Sequence, residues 1–180
     1  CQDPRFKSKL SGSTTLYEIV ERGFVRCGSG FIDRGFFTIS EDGSASGFEV
    51  DLCKSIAGAV LEDPEAIEIV ETDWTSRWGD LAGGRFDVLF CGTTQTAERD
   101  IFQNNAKTGF SFARLPEFFD GLRYAGASPY TECADRVDVN SPECINLRIC
   151  VAADTTWYDV TEKLFPDSMI VAVNSFEAMV

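Results

Sequence analysis

The stretch DLCKSIAGAVLEDPEAIEIVETDWTSRWGDLAGGRFDVLFCGTT, residues 51–94, decides the fold. From Asp51, apolar residues fall at Cys53, Ile56, Ala57, Val60 and Leu61, the i, i+3, i+4, i+7, i+8 spacing of one buried helical stripe. Residues 66–70 run apolar or alternate and predict a strand. Thr75 begins a short helix through Leu81, which Gly83 and Gly84 end. Residues 86–91 form an apolar strand that leads into Gly92-Thr93-Thr94. Upstream, Thr15 and Glu18 make a capping box for a helix with Leu16, Ile19 and Val20 on one face, and Gly23 suits its C-terminal cap. Residues 24–27 read as a first strand, entering a loop over 28–35. Residues 36–40 and 47–50 flank Glu41-Asp42-Gly43, a hairpin signal. The order β, hairpin, α, β, α, β predicts an α/β fold: a parallel sheet with helices on its faces.

Residues 1–13 are polar and lack an apolar period, so they read as a tail. After Phe118 the texture changes: 118–127 reads as extended, and 128–143 is polar and turn-rich. Residues 147–152 restart a strand, followed by a helix with Trp157, Val160, Leu164 and Phe165 inward. Residues 169–173 form one more strand, and Ser175 opens a helix in which the sequence stops. The expectation is a fragment: a second α/β unit begun and not finished.

Sixteen basic and 29 acidic residues give a net charge of -13, which argues against nucleic acid and against charge-driven binding to an anionic membrane surface. The apolar runs are far too short for a membrane span. No secretory signal is present, although a mature chain would have lost one. The seven cysteines stand at 1, 27, 53, 91, 133, 144 and 150, without a CxxC pair, and there is no histidine. Closely spaced thiolate or imidazole ligands for zinc are therefore lacking, and so is the commonest general base. Neither a metal nor a cofactor is expected. The cysteine count fits an oxidising compartment.

The segment GFEVDL, residues 47–52, followed by an Ala-rich helix, resembles the GFDVDL segment of amino-acid solute-binding proteins. Thr72-Asp73-Trp74 then precedes a helix, GGRFDVLFCGTTQTAERD (83–100) resembles that family's sGkyDvi-sGmTiTpeR stretch, and ICVAADTTW (149–157) is similar to ICVqsGTTte of its general L-amino-acid branch. Four matches in order, over roughly residues 14–180, are jointly specific where each alone is weak. The resemblance implies a type II periplasmic-binding-protein-like clamshell, with a parallel sheet and flanking helices in each lobe and the second lobe incomplete. Its implied divisions are a tail (1–13), lobe 1 (14–125), and a hinge with partial lobe 2 (126–180).

Within that family the arginine of the TxxxxR motif, here Thr94 with Arg99, holds the ligand carboxylate. A planar guanidinium grips a carboxylate in a bidentate way that lysine cannot. Taken alone, Arg99 would read as a surface arginine paired with Glu98 or Asp100. Trp74 stands where the family sets a ring against the ligand, and covering the core near Trp78 is the alternative. Phe31, Phe36 and Phe37 lie where another ring is supplied. Gly92 lets the backbone approach a ligand, with its carbonyl accepting from an ammonium group. Thr155 and Thr156 open a second-lobe helix whose free N–H groups favour a carboxylate, or they simply cap it. Two departures stand out: Asp154 replaces a family glycine and places a negative charge near that position, and Ala153 lacks the family serine's hydroxyl.

The function implied is extracytoplasmic binding of a small ligand, an amino acid, for delivery to a membrane transporter, in the periplasm or outside the cell, secreted or membrane-anchored. One alternative is an extracellular sensor or repurposed structural module, towards which Asp154 and the cysteine count lean. A dehydratase-type enzyme, with Asp33, Glu98 or Asp154 as its acid, is the weakest reading, and no catalytic residue is assigned. For the cysteines, Cys27 ends a strand and Cys53 lies on the inward stripe of the neighbouring helix, so these two are expected to bond, with Cys91 as the rival partner. The family branch also carries cysteines at the positions of Cys27, Cys53 and Cys150. Cys133 and Cys144 bracket a polar loop and are expected to close it. Cys150 is expected as a buried free thiol. Cys1 is either a lipid-bearing first residue or a partner to sequence elsewhere.

Overall fold

The computed structural model describes residues 14–30, 35–97, 99, 144–174 and 178. The chain divides into two compact units, Cys1–Phe112 and Ala113–Val180.

The first unit contains α1 (Thr14–Arg22), β1 (Val25–Ser29), β2 (Thr38–Ile39), β3 (Ala45–Ser46), α2 (Phe48–Leu61), β4 (Ile67–Glu71), α3 (Arg77–Ala82) and β5 (Val88–Leu89). Its sheet is parallel in the order β4-β1-β5, with Val25 opposite Ile67, and Cys27 opposite both Ile69 and Val88. The central strand is the most buried, as a parallel strand covered on both faces must be. Ile19, Val25, Cys27, Cys53 and Ala57 make the core, with Ile56, Val60, Leu61 and Ile69 packed against it, so the helical stripe anticipated for α2 faces the sheet. Cys27 and Cys53 form a disulfide across that interface, with Cα atoms 6.3 Å apart. Cys91 is a buried free thiol, which rules it out as the partner of Cys27.

Below the sheet, Asp87 fixes the start of β5. Its side chain is 3% exposed, pairs with the Arg22 and Arg26 guanidinium groups, and accepts the Arg26 backbone N–H at 2.8 Å. Removing one partner of such a cluster would leave buried charge uncompensated.

The hairpin exists, but its second arm is not residues 47–50. β2 pairs with β3, Thr38 opposite Ser46 and Ile39 opposite Ala45. α2 begins at Phe48 rather than Asp51. Gly47 turns the chain at φ 123°, and a Cβ there would lie 2.3 Å from the Phe36 carbonyl oxygen, so only glycine permits the hairpin to pass so tightly into the helix.

The second unit contains β6 (Ile149–Ala152), α4 (Thr156–Leu164), a 3-10 turn (Asp167–Met169) and β7 (Ile170–Val173). β6 and β7 pair in parallel, Ile149 opposite Ile170. Cys144, Leu147, Ile149, Phe165 and Met169 form its core. Two expectations fail here. Val160 and Leu164 are 42% and 41% exposed, and α4 buries Thr161 instead; Phe165, just after the helix, is buried as expected. Burying a threonine costs little because its hydroxyl donates to the Trp157 carbonyl at 2.8 Å. Cys150 is a free thiol but an exposed one, because it points to the face of β6 opposite Ile149 and Val151, which are buried. Cys144 is disulfide-bonded, whereas Cys133 lies outside the described residues. The helix expected from Ser175 also lies outside them.

Candidate functional site

The carboxyl ends of β1, β4 and β5 lead into Gly30, Thr72 and the segment Phe90 to Thr93, and ligands of open α/β sheets bind beyond such strand ends. Gly30 sits so close to β4 that a Cβ would lie 1.8 Å from the Thr72 carbonyl oxygen. Across this end of the sheet Glu49, in the first turn of α2, makes a double bridge. The Ser29 hydroxyl donates to its Oε2 at 2.6 Å, and the Gly92 N–H donates to its Oε1 at 3.1 Å. One carboxylate thereby ties the start of α2 to β1 and to the loop after β5. Gly92, at φ 53°, has open space where a Cβ would be, and its N–H is engaged by Glu49.

The turn before α3 is built by Asp73. Its Oδ1 accepts the Thr75 and Ser76 N–H groups at 2.9 and 2.7 Å and the Thr75 hydroxyl at 2.7 Å. The Ser76 N–H, first, and the Thr75 hydroxyl hold this carboxyl down at about 2. Thr72, 8% exposed, donates to Asp80 at 2.9 Å, and Asp80 also pairs with Arg85 at 2.7 Å.

Arg99 follows in the segment after β5. Thr96 caps its short helical turn, accepting the Arg99 N–H at 3.1 Å. The guanidinium Nη1 donates to the Thr94 carbonyl at 2.8 Å, and the group lies over the Trp78 ring, 5.4 Å from its centroid. Arg77, 3% exposed, lies over the same ring at 5.0 Å and donates to the Trp74 carbonyl. Cys91 lies within electrostatic reach of Arg77, Glu49 and Arg99, and its thiol is hydrogen-bonded to the Thr93 hydroxyl at 3.2 Å; burial, first, pushes that thiol up to about 11.

The anticipated residues are distributed as follows. Thr94, Arg99 and Gly92 lie together on the loop after β5. Trp74 is 7% exposed, and its carbonyl accepts from Arg77. Phe36 is half-buried, edge-on to Phe48 at 6.0 Å, while Phe37 is wholly buried. Phe31, Asp33 and Glu98 lie outside the described residues. In the second unit, Asp154 adopts a left-handed φ of 55° just ahead of α4. Thr155 caps that helix, accepting the Tyr158 N–H at 3.2 Å and donating to the Ala152 carbonyl at 2.7 Å, and Thr156 is its first residue. Glu49, Ser29, Arg77 and Trp78 escaped the sequence reading. The only signal was an acidic residue in the first turn of α2 and an Arg-Trp pair three and four residues after the anticipated tryptophan.

Chemically, this end of the first unit presents a cation fixed on a ring and a backbone loop fixed on a carboxylate, which suits an anionic group at Arg99. Among the described residues no group of three His, Cys, Asp or Glu side chains could hold a metal ion, and no helix is long and apolar enough to cross a membrane.

Residues 34–108 match the profile of the bacterial extracellular solute-binding proteins, family 3. The general L-amino acid-binding periplasmic protein AapJ of Rhizobium johnstonii is 36% identical over 114 residues, 63% of this chain and 32% of that protein. The glutamate/glutamine/aspartate/asparagine-binding protein BztA of Rhodobacter capsulatus is 37% identical over 90 residues, 50% of this chain and 27% of that protein. Among solved structures, a periplasmic binding protein of an ABC transporter from Brucella ovis, with glutathione bound, superposes with a TM-score of 0.64 at 26% identity, covering 92% of this chain and 50% of that one. The chain thus spans about a third of the length of the curated relatives it matches. The fold is the α/β fold of the type II periplasmic binding proteins. Over residues 34–108 and the flanking sequence that aligns with these relatives, the chain is similar to the bacterial extracellular solute-binding proteins, family 3.

Proposed function

We propose that the chain is part of an extracytoplasmic receptor that binds a free amino acid and delivers it to a membrane transporter. The observation that carries this reading is Arg99: a guanidinium anchored to the Thr94 carbonyl and to the Trp78 ring, on the loop beyond the sheet where a ligand carboxylate would sit. The names of the relatives support the ligand class, since AapJ is a general L-amino acid binder and BztA binds glutamate, glutamine, aspartate and asparagine. Lobe 1 spans 14–125, and 126–180 supply a hinge and the start of lobe 2, whose Thr155 and Thr156 would meet the ligand from α4. The residues proposed to meet the ligand are Arg99, Thr94, Gly92, Trp74, Phe31, Phe36, Asp154, Thr155 and Thr156. The protein acts in the periplasm or outside the cell, secreted or anchored, and by binding rather than catalysis.

Asp154 favours a second reading, a sensor or repurposed module. It places a carboxylate in a left-handed conformation ahead of α4, where it would repel an α-carboxylate. Calorimetry of the full-length protein against the twenty L-amino acids separates the two. Micromolar or tighter binding of at least one supports the transport receptor, and heat from none of them rejects it.

A further inference from the structure

We propose that Trp78 is a positioning residue that sets the Arg99 guanidinium in the orientation from which it meets a carboxylate; this rests on the reading of Arg99 given above. The ring is itself held. It projects from the first turn of α3, next to Arg77, a residue 3% exposed whose guanidinium donates to the Trp74 carbonyl and lies 5.0 Å from the Trp78 ring centroid. Arg99 then lies over the same ring at 5.4 Å, and its Nη1 is tied to the Thr94 carbonyl at 2.8 Å. A buried arginine fixes the ring, and the ring with one carbonyl fixes the ligand arginine.

Three physical features make this more than packing. Indole has the strongest cation-attracting face of the aromatic side chains, so the electrostatic pull on a guanidinium exceeds what phenylalanine or an aliphatic side chain offers. A guanidinium's N–H donors lie in one plane, so a contact that limits how that plane turns also limits the directions from which a carboxylate can be gripped in a bidentate way. An arginine side chain loses considerable rotamer freedom on binding, and pre-anchoring at two points removes much of that cost from the binding step. Trp78 is half-buried, so its replacement need not open the core.

The test uses the full-length protein with Trp78→Phe and Trp78→Leu, L-glutamine as probe, and its α-carboxamide derivative as the probe lacking the carboxylate. Ligand-free protein labelled with 15N-arginine gives a readout that needs no ligand: the Arg99 Nε–H resonance, assigned by its loss in Arg99→Lys, carries the ring-current shift of the indole. Trp78→Leu is expected to move that resonance towards its solvent position and to weaken L-glutamine about fivefold to tenfold, the range of a partly desolvated cation–π contact. Trp78→Phe should recover most of both effects, and the α-carboxamide affinity should change little. An unmoved Arg99 resonance, or an equal loss for acid and carboxamide, overturns the proposal. Wild-type protein that binds no L-glutamine counts against that ligand alone, and the resonance then decides the positioning role by itself.

Discussion

The Glu49 bridge makes a prediction whose size follows from the surroundings of its two donors. In Glu49→Ala, both the Ser29 hydroxyl and the Gly92 N–H lose their acceptor. Gly92 is exposed, so water replaces the carboxylate there and the loss is a few tenths of a kcal/mol. Ser29 is 1% exposed and donates to Glu49 at 2.6 Å, the short distance of a bond to a charged acceptor. Loss of a hydrogen bond to a charged group costs about 1.5–3 kcal/mol when its donor stays buried. The expected total is about 2–3 kcal/mol. Glu49→Gln should cost only about 1 kcal/mol, because the carboxamide oxygen can take the Gly92 N–H while its NH2 donates to the Ser29 oxygen. Ser29→Ala in the Glu49→Ala background should add little, since the orphaned hydroxyl is gone, giving a coupling of about 1–2 kcal/mol in the double-mutant cycle. Urea unfolding of wild type, Glu49→Ala, Glu49→Gln, Ser29→Ala and the double mutant, with constant slopes, measures all of this. A Glu49→Ala loss below about 0.5 kcal/mol, or a zero coupling, would show that the bridge does not hold this end of the sheet together.

Other outcomes follow from single features. Alkylation near neutral pH with peptide mapping should mark Cys150 within minutes and Cys91 only on unfolding, since one is exposed and the other buried with its thiol pushed up to about 11; equal rates would contradict the burial assigned to Cys91. Asp73 is held down at about 2, so its contribution to stability is complete above the unfolded value of 3.8 and is lost as pH falls through about 2; Asp73→Ala should therefore cost about 1 kcal/mol at pH 7 and only a small fraction of that near pH 2, and a cost that does not shrink on acidification would remove the turn as its source. Asp154→Gly should stabilise the chain by about 1 kcal/mol, because a left-handed conformation suits glycine, and should tighten L-amino-acid binding; abolished binding would instead assign Asp154 to a cationic ligand group.

How much of this was legible in the sequence depends on whether the deciding contacts are local. The α2 stripe was legible because Cys53, Ile56, Ala57, Val60 and Leu61 repeat at helical spacing, and the same stripe brought Cys53 to Cys27. Residues 47–50 alternate like a strand, yet Phe48 starts a helix because the hairpin carbonyl of Phe36 crowds Gly47 from a distance no local pattern records. In α4 the apolar pair Val160 and Leu164 and the mixed pair Thr161 and Phe165 share the same spacing, one residue apart. Apolarity chose the first pair together with Phe165; the fold does bury Phe165, but it exposes Val160 and Leu164 and buries Thr161, which satisfies its hydroxyl within the helix. Cys150 went wrong for a similar reason: an apolar run says that a strand is buried, not which face is covered. Arg99 was visible only through a motif. Glu49, Ser29 and Trp78 act through tertiary contacts between residues 20 or more apart, and nothing in their own neighbourhoods announces them.

Calorimetric titration of the full-length protein and of Arg99→Ala, with the L-amino acid that the wild type binds most tightly, tests the central claim most directly. Loss of a bidentate, charge-assisted contact of about 2–4 kcal/mol predicts at least a tenfold weaker affinity for Arg99→Ala, with the thermal midpoint of the ligand-free protein nearly unchanged. An affinity equal to that of the wild type would contradict the account.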